Sequence, residues 1–216
     1  MLRQKQIFGW LLVFAVLLVC SMPQASAQID KWSDNNYPFK RIRAIYVEDI
    51  SLNVSNLSDI EQKNLHDDFR KQIEKIYKDQ SYRVVTDRAT YEALARNNPN
   101  SVVYAKTVMD EYRLGSYVVP AHTEWRTRTI RDHYYDREGK RHEITRNETY
   151  PEFVPERTIY TDTIHMRLDV YDSATNRVIF SRDEHRTDDN SRDLKGMFGE
   201  ISRGCLRDFR KKISDD

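Results

Sequence analysis

The sequence predicts an α/β fold: a three-layer-like mixed sheet with flanking helices and a long protruding antiparallel β-hairpin. Three observations lead there. The first part of the chain alternates strand and helix signals. The middle is a long extended run that folds back around one glycine. The end carries an unbroken apolar stripe at helical spacing. At 216 residues the chain is within reach of a single domain. That domain is expected to span residues 41–216, with a β-ribbon inserted at about 123–157.

The amino end reads as a leader. Arg3 and Lys5 precede IFGWLLVFAVLLV, and Ala25-Ser26-Ala27 places small residues where a signal peptidase reads them. Residues 1–27 are therefore expected to be a signal peptide, cut between Ala27 and Gln28. The apolar run falls short of the roughly 20 residues that a spanning helix needs. Lipidation at Cys20 is the alternative, although Val19 stands where a lipobox wants a small side chain. Residues 28–40 are polar, with Asn-Asn and a proline. They read as a linker or a loosely docked arm from which Trp32, Tyr37 and Phe39 pack on the domain surface.

RIRAIYVEDI, residues 41–50, is apolar on both faces and suits a strand covered on both sides. Ser58-Asp59-Ile60-Glu61 fits a capping box, in which serine and glutamate satisfy free amides reciprocally. A helix follows, with Leu65, Phe69, Ile73, Ile76 and Tyr77 on one side. YRVVT, residues 82–86, is a short strand. Asp87 caps a second helix that carries Tyr91 and Leu94 and stops before Asn97-Asn98-Pro99. Residues 105–114 are expected to form a third, short helix closed by Gly115.

The pattern then changes. Residues 116–130 read as a long strand and 141–150 as its return, with Tyr150-Pro151-Glu152-Phe153-Val154-Pro155 ending it. In residues 158–172, Ile164, Met166, Leu168 and Val170 alternate with Thr163, His165, Arg167 and Asp169, the mark of a half-buried strand. Asp172-Ser173-Ala174-Thr175-Asn176 makes a turn into a last strand, 177–182. The closing helix, about 192–213, presents Leu194, Met197, Phe198, Ile201, Cys205, Phe209 and Ile213 as one stripe. Cys205 therefore faces the core as a small hydrophobe.

Loss of the leader leaves 33 basic residues against 34 acidic. No global charge attracts nucleic acid. A single cysteine then remains, so no intramolecular disulfide is expected, and no later apolar run spans a membrane as a helix. Membrane association would follow only from a lipid on Cys20. Nucleophile elbow, phosphate loop, Cys-x-x-Cys and dinucleotide fingerprint are all missing from the sequence. No catalytic residue, cofactor or metal ligand is expected.

HYYDREGKRHE, residues 133–143, is the stretch that raises the question of a site. Asp136-Arg137-Glu138-Gly139-Lys140 suits a three-residue hairpin loop with Gly139 left-handed. His133 then pairs with Glu143 and Tyr134 with His142, so the two histidines fall on opposite faces and cannot share a metal. A two-residue turn at Glu138-Gly139 would put them on one face. The ribbon also interleaves aromatics with arginines. Trp125, Arg126, Arg128, Arg131, Tyr134, Tyr135, Tyr150 and Phe153 form the candidate partner-binding set, because aromatics with Arg are enriched at protein interfaces. The plain alternative is a ribbon whose charges only guard an edge against aggregation.

Four segments carry a resemblance. Arg41 to Asp49 (RIRAIYVED), Arg83 to Arg88 (RVVTDR), Leu114 to Val119 (LGSYVV) and Val170 to Ile179 (VYDSATNRVI) follow one another in the order found in a group of bacterial envelope proteins. The chain resembles the lipoproteins related to the curli-secretion channel subunit and the penicillin-binding-protein activators. The resemblance covers most of the chain beyond the leader. It implies a periplasmic or extracellular envelope protein that acts by binding an envelope protein or by self-association, without catalytic residues. It departs at the lipidated cysteine and in residues 123–157, which are longer and more charged than the pattern. Neither face of TEWRTRTIRDHYY is apolar enough for lipid, so no pore is expected. Two other functions stay open: an envelope hydrolase using His133 and His142, and a binder of an anionic polymer such as peptidoglycan through Arg126, Arg128, Arg131 and Arg141.

Overall fold

The computed structural model describes residues 26–55, 57–78, 80–189 and 193–215. The apolar leader and Cys20 lie outside them. Nine strands and three helices follow in the order β1 (Ser26–Ser33), β2 (Ala44–Val47), β3 (Ser51–Leu52), α1 (Asp59–Tyr77), β4 (Arg83–Val85), α2 (Arg88–Asn97), β5 (Val102–Val119), β6 (His122–Tyr135), β7 (Arg141–Val154), β8 (Arg157–Asp172), β9 (Val178–Asp189) and α3 (Leu194–Asp215). Seven strands make one mixed sheet in the order β1-β9-β8-β5-β2-β4, with β3 beside β5. β6 and β7 make a separate two-stranded sheet. The chain divides into two compact units, residues 1–115 with 161–216, and residues 116–160.

The first unit is built as the sequence patterns require. Ser58 caps α1: its hydroxyl accepts from the Glu61 amide while the Glu61 carboxylate accepts from the Ser58 amide at 2.9 Å. Leu65, Phe69, Ile73 and Ile76 of α1 and Phe198, Ile201, Cys205 and Phe209 of α3 then bury against Ile45, Val47, Val103, Ala105, Met109, Ile164, Met166 and Leu168 of the sheet. The alternate residues Tyr46 and Tyr104 point to the other face, where α2 lies. Tyr91 of α2 stacks on Tyr46 at 4.8 Å and reaches Tyr104 at 6.0 Å, and Tyr104 stacks on Tyr171 at 4.6 Å. Helices thus cover both faces of the sheet at this end, which is the three-layer arrangement the sequence predicts.

Asp172 pins the turn into β9. Its Oδ1 accepts from the amides of Ala174 and Thr175 and from the Thr175 hydroxyl, so the aspartate and threonine of this segment are turn chemistry. Asn176 takes φ +54°, a left-handed conformation that asparagine tolerates. Burial pushes the Cys205 thiol up to about 12, and no reactive thiolate is to be had there. Beside it, Arg182 lies between Asp208 and Glu184, and Arg186 bridges Glu184 to Glu200. A side chain at Gly204 would come within 2.6 Å of the Arg182 guanidinium, so a glycine there makes room for this buried ion network.

Three expectations need correction. Residues 28–40 are not a linker. Residues 26–33 pair along their length with β9, Phe39 is fully buried, and the Tyr37 hydroxyl donates to Asp172 at 2.8 Å. The expected cut between Ala27 and Gln28 falls inside this strand and would leave Gln28 to Ser33 paired. Residues 105–114 are strand, because Val103, Ala105, Thr107 and Met109 alternate inward against β2 and β8. Gly115 is no helix cap there; a Cβ at that position would sit 2.7 Å from Thr161 Oγ1. Finally, Pro120 splits the expected strand 116–130 into β5 and β6, while β7 runs on through Pro151 to Val154. A strand in a two-stranded ribbon has one edge without a ladder partner, where a missing N–H costs nothing.

Candidate interaction surfaces

The second unit is dominated by the β6–β7 ribbon, fourteen cross-strand pairs closed by the loop at Asp136–Lys140. The Asp136 amide donates to Lys140 O at 3.0 Å, and Gly139 takes φ +78°. The three-residue loop is therefore the one that forms, and with it the register that pairs His133 with Glu143 and Tyr134 with His142. The histidines lie on opposite faces. His142 Nε2 is 2.7 Å from Asp136, and its ring stacks on Tyr134 at 5.1 Å. Asp136 also accepts from the amides of Glu138 and Lys140. The His142 contact, backed by these amides, holds the Asp136 carboxyl below the usual carboxylate range. The imidazole nearest the tip thus serves the loop.

The two faces of the ribbon differ. One carries His122, Glu124, Arg126, Arg128, Tyr134, His142, Glu148, Tyr150 and Glu152, and its charges neutralise one another. Arg126 pairs with Glu152 and, at 3.7 Å, with Glu124. Arg128 places two nitrogens on Glu148 at 2.8 and 3.0 Å, with its guanidinium 5.2 Å above the Tyr150 ring. The other face carries Thr123, Trp125, Thr127, Thr129, Arg131, His133 and Tyr135 opposite Phe153, Pro151, Thr149, Asn147, Thr145, Glu143 and Arg141. Here Trp125 is 72% exposed and Phe153 69%; Pro151 faces Trp125, and Phe153 lies diagonally from it on the next pair of this face. Arg131 reaches Glu143 at 3.7 Å.

The candidate partner set is therefore divided. Trp125, Arg131, Tyr135 and Phe153 share one face; Arg126, Arg128, Tyr134 and Tyr150 lie on the other. Residues 116–160 hold eight Lys and Arg against eight Asp and Glu. The arginines proposed for an anionic polymer stand in a unit without excess charge, and three of them already face carboxylates.

The first unit offers a surface that sequence patterns missed. On the sheet face opposite α1 and α3, His165 of β8 is directly across from His185 of β9. His165 Nε2 is 2.7 Å from Asp183, and Asp110 lies 3.9 Å from its Nδ1; His185 Nε2 is 3.3 Å from Glu111. An Arg113 hydrogen bond, aided by His185, draws the Glu111 carboxyl below its ordinary range. Each imidazole has its own carboxylates, with ring centres 5.8 Å apart. Among the described residues no group of three or more His, Cys, Asp or Glu is arranged to hold a metal. The alternating His165 was legible as a strand residue, but pairing with His185 depends on a register that only the sheet fixes. Among the described residues no helix is long and apolar enough to cross a membrane.

No protein-family model matches the chain, and no curated protein matches it. Solved structures match at low identity. A PelC dodecamer from Paraburkholderia phytofirmans is 9% identical over 85% of this chain and 97% of that one, with a TM-score of 0.47. A neuraminyllactose-binding hemagglutinin homolog from Helicobacter pylori is 10% identical over 84% and 86%, with a TM-score of 0.38. A PDZ domain protein from Parabacteroides distasonis is 10% identical over 86% of this chain and 35% of that one, with a TM-score of 0.37. At these scores the likeness is a partial one in chain course, and no activity, ligand or partner passes from them to this chain.

Proposed function

We propose that the chain is a non-enzymatic, exported envelope protein that acts by binding another protein, or a second copy of itself, through the ribbon. The exposed pair Trp125 and Phe153 carries this reading. Two large exposed rings at neighbouring positions of one face, with Pro151 across from Trp125, are the kind of anchor that gains most from being covered. The threonines around them suit a polar rim. Export rests on the leader, and the envelope setting on the resemblance noted in the sequence.

The test places a photo-crosslinking residue at Thr127 and follows adduct formation in cells, with sedimentation velocity of the purified chain to detect self-association. Trp125→Ala with Phe153→Ala should cut adduct yield or self-association about tenfold or more. Adducts and sedimentation that do not respond to the double substitution would overturn the ribbon as the contact surface.

A further inference from the structure

α1 and α3 pack side by side. The Tyr77 hydroxyl donates to Leu206 O, and Arg210 Nη1 donates to Ile76 O, each at 3.2 Å. Beside these contacts lies an open groove of about 380 Å3, lined by Lys75, Ile76, Arg203, Arg207, Arg210 and Lys211. Arg203, Arg207 and Arg210 follow one another at i, i+4 and i+7, so they share one stripe of α3. Lys75 faces them from α1. Five cations thus line one groove beside Ile76, in a chain whose formal net charge is +1.

Among the described residues none of these five lies within 4.0 Å of a carboxylate. Glu200, three residues before Arg203, is engaged by Arg186, and Asp208, next to Arg207, by Arg182 and Lys31. Like charges four residues apart on a helix destabilise it. The helix dipole favours cations only in the last turn, and Arg203 stands more than three turns before the end of α3 at Asp215. Two of the guanidiniums are also held in place. Arg203 Nε donates to Gly199 O at 3.0 Å, and Arg210 is anchored on Ile76 O. Each such bond uses one of five donors and fixes the planar fork for a ligand.

We propose that this groove binds a phosphate-bearing anion, either the headgroup of an acidic phospholipid or a soluble phosphate compound. Several guanidiniums around one concavity match a phosphate, whose non-bridging oxygens accept from planar N–H forks on more than one side, better than they match a single carboxylate. The site uses no residue of the ribbon, so it stands or falls apart from the function proposed above.

The experiment has two arms on the purified chain at about 50 mM salt. One titrates inorganic pyrophosphate calorimetrically. The other sediments the chain with phosphatidylglycerol or phosphatidylcholine vesicles. Lys75→Gln with Arg207→Gln and Lys211→Gln, all exposed positions, should weaken binding about tenfold or more without changing the circular dichroism spectrum. Arg128→Gln with Arg131→Gln on the ribbon should leave it unchanged. Pyrophosphate binding supports a soluble phosphate source, and capture by phosphatidylglycerol vesicles alone supports the headgroup. Binding in neither arm, or binding that the triple substitution spares or that the ribbon substitutions weaken equally, overturns the site.

Discussion

His122 shows how one side chain on this ribbon responds to acid and base. Its Nδ1 is 3.0 Å from Pro120 O and its Nε2 3.0 Å from Glu124. Both ring nitrogens face acceptors, and only the imidazolium donates from both. The Pro120 carbonyl, with help from Glu124, raises its pKa above the ordinary 6.5. A raised folded value means that the stabilisation is complete below about 6.5 and is lost as pH rises through the folded value. An NMR titration should place the His122 midpoint above 6.5, and Glu124→Gln should bring it down. A midpoint at or below 6.5 would show that these contacts do not persist in solution.

At the scale of elements, α2 is the informative case. It has no fully buried residue, so the hydrophobic stripe that holds α1 and α3 is absent from it. Its docking falls to Tyr91, which stacks on Tyr46, approaches Tyr104 and lies 3.2 Å from the Ser173 hydroxyl. Tyr91→Ala should lower stability by about 1–3 kcal/mol. Amide exchange should accelerate in α2 and stay slow in α1. Unchanged exchange in α2 would mean that the tyrosine stack does not hold the helix. The capping signals of both helices were readable, because a cap is a local exchange between one side chain and the next turn. The strand at 105–114 is the opposite case. A glycine at 115 suits the end of a helix, and only the partners β2 and β8 select the extended form.

For the whole molecule, the main core cluster contains no residue from 116–160. The first unit should therefore fold without the ribbon. Replacing residues 128–148 by Asn-Gly, which joins the facing positions Thr127 and Thr149 through a tight turn, should shift the melting temperature by no more than about 2 °C. A loss of cooperative melting would show that the ribbon is part of the folding unit. Charge tells the same story of separable parts. The second unit holds equal numbers of acidic and basic residues, and three of its arginines face carboxylates, whereas no carboxylate pairs with the five cations of the α1–α3 groove.

By itself the sequence determined what depends on near neighbours: the capping box, the closing helix and its buried Cys205, and the alternation of β8; it favoured the loop at Gly139 with opposed histidines, and the tertiary structure chose that register over the two-residue turn. The sequence also marked the ribbon as the place where aromatics and arginines gather. Only the tertiary structure decided that residues 26–33 are an edge strand, that Trp125 and Phe153 share a face while four of their expected companions turn away, and that Lys75 meets three arginines of α3. The physical reason is range. Backbone hydrogen bonds within a turn or a cap are set by residues a few places apart, but strand register and helix-to-helix juxtaposition are set by packing between segments more than a hundred residues apart, such as Tyr77 and Leu206.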